Sequence, residues 1–259
     1  MKSLVKKEKM TIADIRSAYT KDKKALDKKS GLWGYYVNRR ISFYVAWLFI
    51  RLGIPANKVS LLSIIFLLAG CTFLAFGEYK AILLGAILLN IYLLLDYTDG
   101  NIARYTNKVG SPLGAFLENF SGFIDKSLIY ISAGIGAFLN PGYLPVGTFG
   151  WIFVLLGVLT AILHFVTPAT IAGFMKCSFI EGSGITAEHF MFSGFTLYRI
   201  ARQAIGGFYL GILLIFAISN CLGIFVILYA LIAVGLFAGS AFKYLAKLPL
   251  VTNMTRGGK

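Results

Sequence analysis

Residues 80–104 read KAILLGAILLNIYLLLDYTDGNIAR, and this stretch settles the fold class. It carries no charge between Lys80 and Asp96, and then closes on Asp96, Asp99 and Arg104. As a helix rising 1.5 Å per residue it would be roughly 36 Å long, enough to cross a hydrocarbon layer of about 30 Å. Comparable apolar runs lie near 59–77, 113–139, 146–167, 203–219 and 222–244. With 80–100 they make six, so the sequence predicts an all-α integral membrane protein of six transmembrane helices. Composition agrees: 58% of the 259 residues are apolar and 28 are glycine, which excludes an ordinary soluble domain.

Ahead of these runs, only ten residues separate Arg40 from Arg51. They would form roughly 15 Å of helix, half a crossing, so the segment is expected to lie along the interface as an amphipathic helix. The organisation follows as a basic cytosolic N-terminal arm over 1–32 and an interfacial helix over 33–54. A six-helix membrane domain over 55–246 and a cytosolic tail over 247–259 complete it. Within the arm, Thr11-Ile12-Ala13-Asp14 has the spacing of a capping box that opens a short helix.

Charge sets the topology. Residues 1–40 hold 12 of the 25 Lys and Arg, against Glu8, Asp14, Asp22 and Asp27. Six crossings place both termini on one side, which also receives Lys58, Arg104, Lys108, Lys176, Arg199, Arg202, Lys243, Lys247, Arg256 and Lys259; the other side receives Lys80 and little else. The positive-inside rule then puts both termini in the cytoplasm, in a multi-pass protein of the cell (inner) membrane. The basic arm suits anionic membrane lipids. Nucleic acid is not expected as a partner, because aromatic residues are not interleaved there as stacking platforms. Cys71, Cys177 and Cys221 are scattered, without the spacing of a zinc site or disulfide frame.

Only 11 acidic residues occur, and Asp96, Asp99, Glu118 and Asp125 sit in or against the spans. A mid-membrane acid costs about 2.5–3.5 kcal/mol on insertion scales, and two carboxylates a turn apart repel unless a cation lies between them. Asp96, Asp99, Gly100 and Ala103 fall at i, i+3, i+4 and i+7, one stripe of one helix. Gly114, Glu118 and Gly122 recur every four residues on the next, with Asp125 beyond. The short connection makes the two helices antiparallel neighbours in this reading, so that three carboxylates converge at the cytoplasmic mouth. Carboxylates without thiol or imidazole suit Mg²⁺ or Mn²⁺. Gly100 and Ala103 leave a flat strip for a base or phosphate, and Arg104 offers a fixed charge for phosphate oxygens. The plainer alternative is solvated acids at helix ends beside a strip of small residues that packs helices. Arg39, Arg40 and Arg199, with Arg202, are candidates for holding a phosphate or are simple positive-inside anchors. His164 reads as a packing residue, and His189 as an exposed loop histidine that could serve as a base.

Asp96-Tyr97-Thr98-Asp99-Gly100-Asn101-Ile102-Ala103-Arg104 resembles the signature of the CDP-alcohol phosphotransferase family, D-x-x-D-G-x-x-A-R, at every fixed position. The family pattern continues as G-x-x-x-D-x-x-x-D after eight residues; here nine residues precede Gly114. Asn57-Lys58-Val59-Ser60 at the opening of the first span is similar as well. The resemblance implies transfer of a phospho-alcohol from a CDP-alcohol donor to an acceptor hydroxyl, with release of CMP. Asp96, Asp99 and Glu118 would hold the metal, and Gly100, Ala103, Arg104 and Gly114 would bind the donor. A phosphate held by Arg39, Arg40 or Arg199, with Arg202, would then be the acceptor's. A homodimer is also implied, with Gly235-x-x-x-Gly239 as a face for close contact. The chain departs from the pattern twice: Glu118 stands at the third acid, and Gly122 at the fourth, which the family is thought to use as general base. Asp125 is then the nearest substitute base. Two other readings stay open, a weakened relative that keeps metal and nucleotide, and a cation-coupled transporter.

Overall fold

The computed structural model describes residues 10–30, 33–145, 147–177 and 208–256, and among them there are helices and no strands. Nine α-helices follow one another in the described residues: α1 Ile12–Ser17, α2 Lys21–Ser30, α3 Arg39–Arg51, α4 Ala56–Ala75, α5 Tyr79–Tyr105, α6 Pro112–Leu139, α7 Ile152–Cys177, α8 Tyr209–Ile218 and α9 Leu222–Arg256. Five helices are long and apolar enough to cross a membrane, within α4, α5, α6, α7 and α9; α8 is a shorter apolar helix of 10 residues. The all-α membrane fold is therefore as expected. The fifth apolar run, 203–219, is described only from residue 208 onward.

Local signals explain three of the helix starts, those of α1, α4 and α6. Thr11 and Asp14 form the expected capping box: the Thr11 amide donates to Asp14 at 2.8 Å and the Asp14 amide to the Thr11 hydroxyl at 3.3 Å. That pairing holds the exposed Asp14 carboxyl below its ordinary range. Pro55 precedes α4, and Ser111 caps α6 by accepting from the Gly114 amide at 3.2 Å, with Pro112 in the first turn. Between α5 and α6 the chain reverses through Asn107 and Gly110, both at positive φ.

α3 has 13 residues, about 20 Å of helix and too little for a crossing. Arg39, Ser42, Phe43 and Ala46 form its buried stripe, while Ile41, Tyr44 and Leu48 are exposed on the other face. A π-helical turn over Gly34–Asn38 leads into it. The arm folds back onto this helix. Ile15 of α1 is buried with Phe43, Ala46, Val59, Leu95 and Ile102, and the Trp47 indole donates to the Met10 carbonyl at 3.1 Å. At the other end, α9 runs unbroken past residue 247, where the sequence suggests a tail.

The main core joins α4 through α9. Its helices pack backbone to backbone at the end remote from the acids. A Cβ on Gly85 would lie 2.7 Å from the Gly70 carbonyl oxygen, and one on Gly157 would lie 2.5 Å from the Tyr130 carbonyl oxygen. One expectation is corrected here. α5 and α6 are not packed neighbours: α4 packs against both, and α5 and α6 barely meet. The loop from Thr106 to Ser111 requires the chain to turn back, but α4 offers the close-packing glycine surface and wedges the pair apart. The first turns of α6 are consequently left uncovered, with Leu113, Phe116 and Phe120 exposed.

Candidate active site

Three helix ends define the site: the start of α4, the end of α5 and the start of α6. Asp99 lies six residues inside the end of α5, and Glu118 six residues inside the start of α6. Both are thus about 9 Å from the helix ends, at one level across the gap. Asp96 lies one turn deeper on α5, level with Ser121. Asp96 is within electrostatic reach of Asp125, Glu118, Arg39 and Lys126, and Asp99 of Asp96 and Glu118. Asp96 and Asp99 are half-buried and Glu118 is exposed. The acids therefore share one electrostatic field. Among the described residues, however, no three His, Cys, Asp or Glu side chains are gathered closely enough to hold a metal ion.

α4 contributes two residues that the acid pattern does not reveal. The Ser60 hydroxyl donates to Asp99 Oδ2 at 2.5 Å, and a Cβ on Gly114 would lie 3.3 Å from Asn57 Oδ1. The only sequence signal for them was their place at the opening of the first span. Gly100 has a clear steric task. The Arg104 side chain folds back over it, so that a Cβ there would stand 3.1 Å from Arg104 Nη2. Arg104 Nη2 donates to Asn101 Oδ1 at 2.9 Å. Ala103 is half-buried on the same helix.

Asp125 is set deeper, thirteen residues into α6, level with Tyr92, thirteen residues from the end of α5. It is buried, and its Oδ2 accepts from the Tyr209 hydroxyl at 3.2 Å and the Tyr92 hydroxyl at 3.4 Å. Its Oδ1 accepts from the Lys126 amide at 2.5 Å, with Lys126 Nζ at 3.8 Å. Between Glu118 and Asp125, a Cβ on Gly122 would meet nothing within 4 Å.

Of the candidate phosphate-binding arginines, Arg39 is buried and already engaged. Its guanidinium closes on Asp27, donates to Asn101 Oδ1 at 3.0 Å and to the Tyr97 carbonyl at 3.3 Å, and lies 4.3 Å from the Tyr97 ring centroid. An acceptor phosphate there would have to displace Asp27. Arg40 is exposed and stands over the Tyr36 ring at 5.8 Å. Arg199, Arg202 and His189 lie outside the described residues. His164 is half-buried beside Tyr130 and Phe165, as a packing residue would be.

A signature stripe on α5 faces the glycine-spaced start of α6 across a gap, inside an all-helical membrane bundle. The family model for CDP-alcohol phosphatidyltransferase matches residues 54–238, most of the chain and the whole of this gap. The chain belongs to the CDP-alcohol phosphatidyltransferase family. Members transfer a phospho-alcohol from a CDP-alcohol donor to an alcohol acceptor in lipid synthesis. No individual curated protein matches the chain. Within this CDP-alcohol phosphatidyltransferase fold, the match begins at Ile54, so α1, α2 and α3 lie before it.

Proposed function

We propose that the chain is a working CDP-alcohol phosphatidyltransferase whose reaction takes place in the gap between α5 and α6. The observation that carries this reading is that Asp99 on one helix stands at the same depth as Glu118 on the other, with Asp96 one turn deeper and within electrostatic reach of Glu118. The donor's diphosphate would enter between them, with Gly100, Ala103 and Gly114 leaving room for the nucleotide and Arg104 facing phosphate oxygens. An acceptor hydroxyl attacks the phosphorus that bears the alcohol. The bond from that phosphorus to the CMP oxygen breaks, and CMP leaves with the bonding electrons. Asp125 is about 10 Å deeper than Glu118 and engaged by two tyrosines, so it shapes the floor of the gap, and the hydroxyl proton passes to water there.

The donor set is all carboxylate oxygen, which in kind fits Mg²⁺ or Mn²⁺, with Asp96, Asp99 and Glu118 as the residues that would hold it. When bound, such an ion would neutralise charge on the diphosphate. Glu118, exposed on the uncovered start of α6, is the member of the set with freedom to close the distance. The basic loop around Lys108 and the lysines of α2 support a cytoplasmic placement of this end of the bundle, in the inner membrane and against anionic lipids. Gly235 and Gly239 of α9, with nothing within 4 Å of either Cβ position, leave a face suited to a homodimer.

A second reading has one observation behind it. The open space at Gly122 leaves no acid where the family pattern has its fourth, so nucleotide and metal could be retained with slow turnover. CMP release from a panel of CDP-alcohols, CDP-diacylglycerol among them, tests both. The leading reading expects release with Mg²⁺ and its loss in Asp96→Ala. Release that is unchanged in Asp96→Ala would sink it, and nucleotide binding without release would favour the second.

A further inference from the structure

Asn101 is one of the two residues between the fixed D-G and A-R of the signature, at a position the nine-residue pattern leaves free. It is 2% exposed and sits at the meeting point of the arm and the site. Its Oδ1 accepts from Arg39 Nη1 at 3.0 Å and from Arg104 Nη2 at 2.9 Å, while its Nδ2 donates to the Ser42 hydroxyl at 2.8 Å. The Ser42 hydroxyl in turn donates to the Arg39 carbonyl at 2.9 Å. The amide presents an acceptor to two guanidinium groups and a donor to a hydroxyl at once. An aspartate would lose the donor, and an apolar residue would take this acceptor from buried Arg39 and half-buried Arg104.

Two guanidinium groups on one oxygen repel, and the arm supplies the counter-charge. Asp27 of α2 closes on Arg39, and the same carboxylate accepts from the Tyr19 hydroxyl at 2.8 Å and pairs with Lys23 at 3.3 Å. The Tyr19 ring lies 5.0 Å from the Arg39 guanidinium carbon and 5.9 Å from that of Arg104. Burial, and then the hydrogen bond to Asp27, push the Tyr19 hydroxyl above its ordinary range, so it stays a neutral donor. At the far end of this chain of contacts, Arg104 lies over Gly100 and within electrostatic reach of Asp99.

We propose that Asn101 is a positioning residue: it holds the Arg104 guanidinium against Gly100 on the wall of the gap, braced from behind by the Asp27–Arg39 pair of the N-terminal arm. This rests on the reading of the gap as the donor site. A long arginine side chain loses much rotamer freedom when it is held, and a fixed anchor removes that cost from donor binding. Loss of Asn101 should therefore weaken binding of the diphosphate more than it slows the chemical step.

A double-mutant cycle on the full-length protein tests this, with initial rates of CMP release from CDP-diacylglycerol and Mg²⁺. Asn101→Ala is expected to raise donor KM about tenfold and to change kcat less than about threefold. In an Arg104→Ala background the same substitution should add less than about twofold, because the group it positions is already gone. An equal KM effect in both backgrounds, or an effect on kcat alone, would overturn the proposal. Should Asn101→Ala not fold, Asn101→Gln takes its place: it keeps the amide but displaces the acceptor by a methylene, and the same dependence on Arg104 is expected. If the unaltered protein releases no CMP from any donor, the enzymatic reading fails separately. The cycle is then read as the apparent affinity for CMP with Mg²⁺ by thermal shift. No coupling between Asn101 and Arg104 in that readout, or no CMP shift at all, overturns the positioning role.

Discussion

Gly122 carries the sharpest question at the level of single residues. It stands on the face of α6 that bears Glu118, and a Cβ there meets nothing within 4 Å. A carboxylate can therefore be added without a clash. Since an absent general base typically costs about 10²–10⁴-fold, Gly122→Asp should raise kcat for CMP release by at least tenfold if proton removal limits the rate. An unchanged kcat would show that the proton is handled without an acid at this position. Ser60 offers a contrasting case. Its hydroxyl is 2.5 Å from Asp99, so Ser60→Ala should lower CMP release by about three- to tenfold through loss of one hydrogen bond of about 0.5–1.5 kcal/mol. The Tm in detergent should stay nearly constant, because Ser60 is only partly buried. Asp96, Asp99 and Glu118 stand out in the sequence because each is a rare charge in or against an apolar run. Ser60 entered the sequence reading only through the resemblance of Asn57-Lys58-Val59-Ser60, and its bond to Asp99 was not legible, since a hydroxyl near a helix start is common and its partner lies 39 residues away.

The helices divide the work between two ends of the bundle. Away from the acids, glycine faces bring backbones into contact, Gly70 with Gly85 and Gly134 with Gly157. α5 and α6 both pack on α4 and barely meet each other, and the signature acids lie at the end of α5 and the start of α6. This division predicts where substitutions hurt stability. Gly85→Ala places its methyl 2.7 Å from the Gly70 carbonyl oxygen and 2.7 Å from the Leu74 amide nitrogen, both backbone atoms that cannot rotate away. It should destabilise the protein by about 1–3 kcal/mol and lower the Tm in detergent by several degrees. A Tm within a degree of the unaltered protein would mean that α4 and α5 can slide apart at no cost. Helix positions and caps were legible, the Thr11–Asp14 box included, because apolar period and capping chemistry are local. The separation of α5 from α6 was not. A short loop requires a reversal of direction, but the choice of packing partner depends on surfaces that come from distant parts of the chain.

Across the whole molecule, an N-terminal arm, a bundle and three helix ends meet around the candidate site. Ligand linkage gives the broadest test of that combination. CMP at 100 times its Kd stabilises a protein by about 2.7 kcal/mol, so CMP with Mg²⁺ should raise the Tm by a few degrees, and the shift should vanish in Asp96→Ala. A shift that is the same with Mg²⁺ and with EDTA would exclude the cation from nucleotide binding. Residue identity and spacing alone were enough for a helical membrane protein and its family. Those features follow from hydropathy over a bilayer's thickness and from a nine-residue pattern, and both are properties of contiguous sequence. Three-dimensional packing alone made α4 the wedge that opens the gap, engaged Arg39 with Asp27, and drew Asn101 between two arginines. Each of these joins residues remote in the chain, and their energies depend on burial and on which neighbours compete, quantities that exist only once the chain has folded.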